Sequence, residues 1–268
     1  MFDLDAYFAR IGYAGSCDAS LDTLRALHAL HPAAIPFENL DPLLGRPVLL
    51  GLDAVQEKLV RRRRGGYCFE QNALFRAALE TLGFTVTGLA ARVLWMAPPE
   101  RPLSPRTHML LKLDVAGETY IADVGFGGLL QDAPLRLLAD AEQSTPTESM
   151  RYVRAGDAFK LQARLPVGWH DIYMFTLEPQ VAADYVLGNW FTSTHPESRF
   201  RTSLLVERLL PDVRISLVNR KLTHRRRDGQ VSQRMIESAD ELDRILVNEI
   251  GLDLPANAKA IFDRLPAL

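Results

Sequence analysis

Residues 68–94 read CFEQNALFRAALETLGFTVTGLAARVL, and within them the hydrophobic period changes. Phe69, Ala73, Leu74 and Ala77 fall at i, i+4, i+5 and i+8, one face of a helix that begins around Cys68 and stops at Leu82-Gly83. From Phe84 the period drops to two, and Val86 to Leu94 alternates apolar with polar or small residues as a half-buried strand does. The helical part of the chain therefore lies before Phe84 and the extended part after it.

Working upstream, Leu4, Phe8 and Ile11 keep helical spacing, and Leu21, Leu24, Leu27 and Leu30 repeat it after Ser20, with Pro32 and Pro36 expected to end that run. Asp53 is a candidate N-cap for a third helix, with Gln56 three residues on. Downstream, His108 to Val115 and Thr119 to Val124 alternate like strands, and Trp169 to Trp190 is expected to continue the β layer. The prolines between Pro98 and Pro105 and the polar run from Asp140 to Glu148 predict loops. Asp228-Gly229 predicts a hairpin between Arg214–Arg226 and Gln230–Ile236. Ser238-Ala-Asp-Glu241 opens a further helix, and Pro255 to Leu265 reads as the last one. The order is helical bundle, β region, then a mixed α/β tail, with no internal repeat.

Composition narrows the class. A chain of 268 residues with 47% hydrophobic content can bury one substantial core, or two to three small domains with a continuous interior. The formal net charge of -2 gives no global attraction to nucleic acid or to an anionic membrane. Met1-Phe2-Asp3-Leu4-Asp5 lacks the cationic and apolar regions of a signal peptide, and no run of apolar residues reaches spanning length. The two cysteines, Cys17 and Cys68, suit a reducing compartment, so a cytoplasmic location is expected.

Cys68 sits in Arg64-Gly65-Gly66-Tyr67-Cys68-Phe69-Glu70, at the start of the predicted helix. There the helix dipole and unpaired N–H groups favour a thiolate, the nucleophilic form of cysteine. Free cysteine ordinarily packs as a small buried apolar residue, but two neighbouring glycines leave this sulfur room to meet a substrate. A nucleophilic cysteine needs a base, and the base needs an orienting group. If Ala116-Gly117 forms a two-residue hairpin turn, Val115 faces Glu118, Leu110 faces Asp123 and His108 faces Gly125. His108 and Asp123 then become diagonal neighbours on one face, about 7–8 Å apart at the backbone. A slip of one residue would separate them. His28, His31, His170, His195 and His224 have no carboxylate partner in a predictable geometry. With no CxxC and no HExxH, no metal is expected. Val124-Gly125-Phe126-Gly127-Gly128 could turn backbone N–H groups toward an anion, or simply make a tight turn. Arg61 to Arg63 are expected to be solvated, and Arg64 to pair with a carboxylate.

The segment at 64–70 resembles the active-site motif of the arylamine N-acetyltransferases. Pro36-Phe37-Glu38-Asn39 is similar to that family's upstream motif, His108 and Asp123-Val-Gly-Phe-Gly stand in its order and separation, and Asn189-Trp-Phe-Thr-Ser-Thr-His-Pro196 resembles its later signature. The resemblance implies an α+β fold with a cysteine-protease-like Cys-His-Asp core. Its parts would be an N-terminal helical bundle (1–84) carrying the nucleophile, a β-barrel (85–200) carrying the histidine and aspartate, and a C-terminal α/β lid (201–268). It also implies acetyl-CoA as donor, small aromatic amines or hydrazines as acceptors, and a ping-pong reaction through an acetyl-cysteine. The triad carries over to Cys68, His108 and Asp123. Phe37, Val93 and Phe126 match the apolar slot, and Gly125 and Gly127 the segment beside the CoA pyrophosphate. Thr192, Ser193, Thr194 and Phe200 fall near the cofactor entrance. Both a monomer and a homodimer suit the family. Macrolactam-forming amide synthases of the same family, a transglutaminase-like cysteine hydrolase and a non-catalytic binding protein are the alternatives.

Overall fold

The structure, a computed structural model, describes residues 1–98, 100 and 102–266. Its helical N-terminal part holds α1 (Leu4–Ile11), α2 (Leu21–Ala34), α3 (Leu40–Leu43), α4 (Leu52–Gln56) and α5 (Cys68–Thr81). Side chains punctuate these helices: Asp3 accepts the Ala6 N–H at 3.0 Å to start α1, and Ser20 accepts the Thr23 N–H at 3.2 Å to start α2. Between α3's predecessor segment and its own start, Phe37–Glu38 forms a two-residue strand, β1. Leu24, Leu27, Leu74, Phe75 and Leu79, all buried, tie α2 to α5.

Eight antiparallel strands follow: β2 (Val86–Val93), β3 (Arg106–Val115), β4 (Glu118–Ala122), β5 (Leu135–Arg136), β6 (Gln143–Ser144), β7 (Ser149–Ala155), β8 (Ala158–Leu165) and β9 (Gly168–Phe175). They form one sheet in the order β5-β4-β3-β2-β9-β8-β7-β6. The sheet curls into a nearly closed barrel, because its two edges meet: the Gln143 side chain takes both the N–H and the C=O of Arg136, at 2.9 and 2.8 Å. Leu89, Leu110, Ile121, Tyr152 and Tyr173 fill the interior. Helices α6 (Ala182–Thr194) and α7 (Arg199–Thr202) then lead to β10 (Leu205–Leu209), β11 (Val213–Val218), β12 (Lys221–Arg226) and β13 (Val231–Met235), and on to α8 (Ala239–Arg244) and α9 (Ala258–Phe262). This C-terminal sheet recruits the early strand at its edge, in the order β1-β10-β11-β12-β13.

Several elements depart from their sequence expectation. Pro32 lies inside α2, which runs on to Ala34. The backbone hydrogen bond that proline forfeits is outweighed by the tertiary packing of a largely buried helix. Gly51, not Asp53, precedes α4, and Gln56 instead ties down the chain start, accepting the Asp3 N–H at 2.7 Å. Only the first part of Trp169–Trp190 is extended; Asp184 accepts the Val181 N–H at 2.8 Å and turns the chain into α6. A left-handed Asn219 splits Arg214–Arg226 into two strands, β6 falls in the expected loop at 140–148, and the last helix is confined to Ala258–Phe262. In the proline-rich loop, 98, 100 and 102–105 belong to no helix or strand, and 99 and 101 lie outside the described residues.

Candidate active site

Cys68 is the first residue of α5, where an N–H has no intrahelical acceptor. Glu70 reaches back to the Tyr67 N–H at 3.1 Å and fixes the helix start. The glycines before it serve close approach more than sulfur exposure. A Cβ on Gly65 would lie 2.1 Å from the Pro36 carbonyl oxygen, and one on Gly66 would lie 2.7 Å from the Glu70 carboxylate. The 36–38 segment can thus run against the turn, with the Glu38 N–H donating to the Gly66 carbonyl at 3.0 Å.

Charge cements this junction. Lys58 Nζ lies 2.7 Å from Glu70 and 2.8 Å from Asp41, while Arg64 donates to Glu38 at 2.8 Å and to Asp41 at 2.9 Å. These five groups are largely buried, three acids against two bases. Burial resists ionisation of Glu70 and, with Glu38 beside it, leaves its carboxyl above the usual range despite Lys58. Pairing rather than solvation is therefore the role of Arg64, whereas Arg61 and Arg62 are exposed and pair only with half-exposed Glu57.

The β3–β4 hairpin places the other two groups. Ala116 and Gly117 have φ of 53° and 79°, the left-handed pair a type I′ turn demands, and Val115 pairs with Glu118. The ladder runs to Leu111–Ala122 in the anticipated register, and Asp123 follows immediately. His108 Nε2 meets Asp123 Oδ2 at 2.6 Å. The other ring nitrogen, Nδ1, is left for the Cys68 thiol, which lines the same cavity as His108 and whose charge helps raise the imidazole's pKa. A bulge between β2 and β3 leaves Thr107 out of the ladder, with its carbonyl 3.6 Å from Cys68 Sγ. Burial pushes the imidazolium down, but the Asp123 charge, its hydrogen bond and the Cys68 sulfur outweigh it and hold His108 up at about 10. For Asp123, burial is likewise outweighed by His108, Asn72 and the Gly125 N–H, which hold its carboxyl below the usual range.

A second layer completes the aspartate's surroundings. Asn72 Nδ2 and the Gly125 N–H each donate to Oδ1 at 3.0 Å, and Gln131 Nε2 lies 3.4 Å from Oδ2. Gln131 also reaches the Tyr173 hydroxyl at 3.2 Å, and the Tyr173 and Phe126 rings pack against His108, each with centroids 5.1 Å away.

The thiol opens onto a cavity of about 500 Å³. Phe37, Val93, Trp95, Leu103, Phe126 and Phe200 give it apolar lining, the Phe37 and Phe200 rings with centroids 6.3 Å apart, and Gly125, Gly127, Thr192 and Arg199 also line it. Ser193 and Thr194 are not among its walls; their hydroxyls turn back onto Asn189 and Trp190 carbonyls within α6. A Cβ on Gly125 would approach Cys68 Cα to 2.7 Å, and one on Gly127 the Phe37 ring to 2.3 Å, so the first glycine lets the loop press against the nucleophile's helix and the second against β1. The Gly125 N–H is spent on Asp123 and the Gly128 N–H on Glu207. Among the described residues no group of three or more His, Cys, Asp or Glu side chains could hold a metal, and no helix is long and apolar enough to cross a membrane.

An N-acetyltransferase family model matches residues 20–259. The chain is 44% identical to the arylamine N-acetyltransferase of Escherichia coli (strain K12), over 93% of this chain and 88% of that one. The chain belongs to the arylamine N-acetyltransferase family. Its fold is that of the family: the M. tuberculosis enzyme superposes with a TM-score of 0.94 at 41% identity, covering 98% of this chain and 99% of that one. The Mycobacterium marinum enzyme, solved in complex with CoA, gives 0.94 at 40% identity over 98% of each chain.

In this arylamine N-acetyltransferase family member the four sequence motifs are contact partners. Arg64 donates to Glu38 at 2.8 Å, the Tyr67 hydroxyl donates to Asn189, and Gly125 and Gly127 abut Cys68 and Phe37. Sequence analysis missed Asn72, Gln131, Tyr173 and His28 around the aspartate. Asn72 was one turn from Cys68 on a predicted helix and could have been found; Gln131 lies eight residues on in an irregular loop, and Tyr173 and His28 come from distant elements, so none of these three carries a local signal.

Proposed function

We propose that the protein transfers an acetyl group from acetyl-CoA to the nitrogen of a small aromatic amine or hydrazine, by way of a thioester on Cys68. What carries this conclusion is the sulfur at a helix start beside an imidazole that Asp123 holds at 2.6 Å, at the floor of an apolar cavity. In this reading Asp123 stabilises His108 as imidazolium, so that His108 can draw the Cys68 proton and the reaction starts from a thiolate–imidazolium pair.

In the first half-reaction Cys68 Sγ attacks the thioester carbonyl, a new C–S bond forms, the C–S bond to CoA breaks, and the His108 proton leaves on the CoA thiol. In the second, neutral His108 takes a proton from the attacking amine, the new C–N bond forms, and Cys68 departs as thiolate, restoring the starting pair. Thiolate serves both as nucleophile and as leaving group, a relay serine could not match. The Cys68 N–H at the helix start is one donor to the oxyanion. Phe37, Val93 and Phe126 form the slot for a flat acceptor ring. The phosphate-bearing end of the donor lies toward Thr192, Phe200 and Arg199, with Gly125 and Gly127 allowing it past the loop. The division of labour is a nucleophile-bearing part (1–84), a part carrying His108, Asp123 and the slot (85–200), and a covering lid (201–268). A free thiol nucleophile and a thioester donor suit a reducing compartment, which supports reading the activity as cytoplasmic.

Intact-mass spectrometry tests this. Acetyl-CoA alone should add one acetyl mass, mapped to the Cys68 peptide, and an aromatic amine or hydrazide should discharge it. Acetylation elsewhere, or none, overturns the proposal.

A further inference from the structure

Asp123 has lost its place in the sheet: the β3–β4 ladder ends one residue earlier, at Ala122, so the Asp123 N–H has no strand partner. It donates instead to His28 Nε2 on α2, at 3.1 Å. Accepting that bond requires Nε2 to be unprotonated, so the His28 proton is on Nδ1. His28 is wholly buried, and among the described residues its Nδ1 has no hydrogen-bond partner. Leaving a buried donor unpaired is destabilising, a penalty an apolar residue at this position would not incur. The titratable groups around the ring are Asp123 and His31, and Phe75 closes it edge-on with centroids 5.7 Å apart.

Asn72 alone would not fix the aspartate. It holds the carboxylate through Nδ2, alongside the Gly125 N–H and Gln131, and the next residue through Oδ1, accepting the Val124 N–H at 3.1 Å, while the N–H of Asp123 itself is left to His28. A backbone free to rotate there would swing the carboxylate relative to His108.

We propose that His28 is a positioning residue for acyl transfer, its Nε2 pinning the Asp123 backbone so that the carboxylate stays aimed at His108. The inference rests on the triad assignment above. Because the acceptor atom matters and not the ring, glutamine, whose terminal amide oxygen reaches about as far as Nε2, should replace histidine, whereas leucine and the shorter asparagine should not.

The test compares His28→Leu, His28→Asn and His28→Gln in the full chain. It measures the single-turnover rate of Cys68 acetylation, the KM for acetyl-CoA, the pH profile of iodoacetamide alkylation of Cys68, and thermal melting. His28→Leu and His28→Asn should slow acetylation about 10- to 100-fold with KM unchanged within twofold, and shift the alkylation profile. His28→Gln should restore both. If one of the first two does not fold, the other carries the comparison. Wild-type acetylation and alkylation profile in a folded Leu or Asn variant, or a Gln variant as slow as they are, would overturn the proposal. Wild-type protein that takes no acetyl group at all would overturn the acetyl-transfer reading instead, since alkylation still reports the thiol.

Discussion

Cys68, His108 and Asp123 contribute in unequal ways, and substitution separates them. Cys68→Ala removes the atom that would carry the acetyl group, so no acetyl mass should appear on the protein and turnover should vanish. Asp123→Asn keeps the shape but exchanges a charge for an amide that can present N–H to the imidazole. The acetylation rate should fall about 10⁴-fold, as in other triads whose histidine is held in the wrong tautomer. A stopped-flow measurement of thiol release from acetyl-CoA reads both variants. His108 was legible in the sequence because it stands on a hairpin whose turn residues set the register. His28 was not, because it meets Asp123 across 95 residues of chain.

Among the elements, the loop after β4 is the least forgiving. Gly125→Ala would bring a methyl group to 2.7 Å from Cys68 Cα and 2.9 Å from Asn72 Nδ2, so either α5 or the loop must shift. Acetylation should slow about 100-fold, since displacement of the nucleophile by a fraction of an ångström already spoils the attack geometry. A crystal structure with the Cys68–His108 contact intact and near-normal kinetics would contradict this. The same loop shows where sequence reading stops. Its glycines suggested exposed N–H groups, yet two of those groups bond to Asp123 and Glu207, and the glycines are there because Phe37 and Cys68 come so close. Strands β2 to β4 were readable from local alternation, and α5 from its apolar face. The second half of Trp169–Trp190 was not, since its apolar side chains suit a strand and only Asp184, folding back on Val181, commits the chain to a helix.

For the whole molecule, buried histidines make stability depend on pH from both sides. Burial lowers His28 to about 4 and His31 to about 3, from an ordinary 6.5. Their contribution is present above about 6.5 and is lost as pH falls toward those values, because the unfolded chain binds protons the folded one refuses. His108, raised to about 10, behaves oppositely: its contribution is full below about 6.5 and is lost as pH rises through 10. The melting temperature should therefore peak near pH 6.5 and decline on either side, and His31→Gln should flatten the acid side. A melting temperature level from pH 4 to pH 10 would refute it.

Strand β1 pairs with β10, and Asn39 accepts the Leu205 N–H from 166 residues away. On the ribosome, the segment that braces the nucleophile's turn must wait until residue 205 of 268 before its edge is covered. The helical half can collapse early, but no shortened product ending before β10 can hold Phe37 and Phe200 against the cavity. Catalytic competence is thus withheld until residue 205 of 268 has been made, and a premature stop codon upstream of it should yield protein inert toward thioesters.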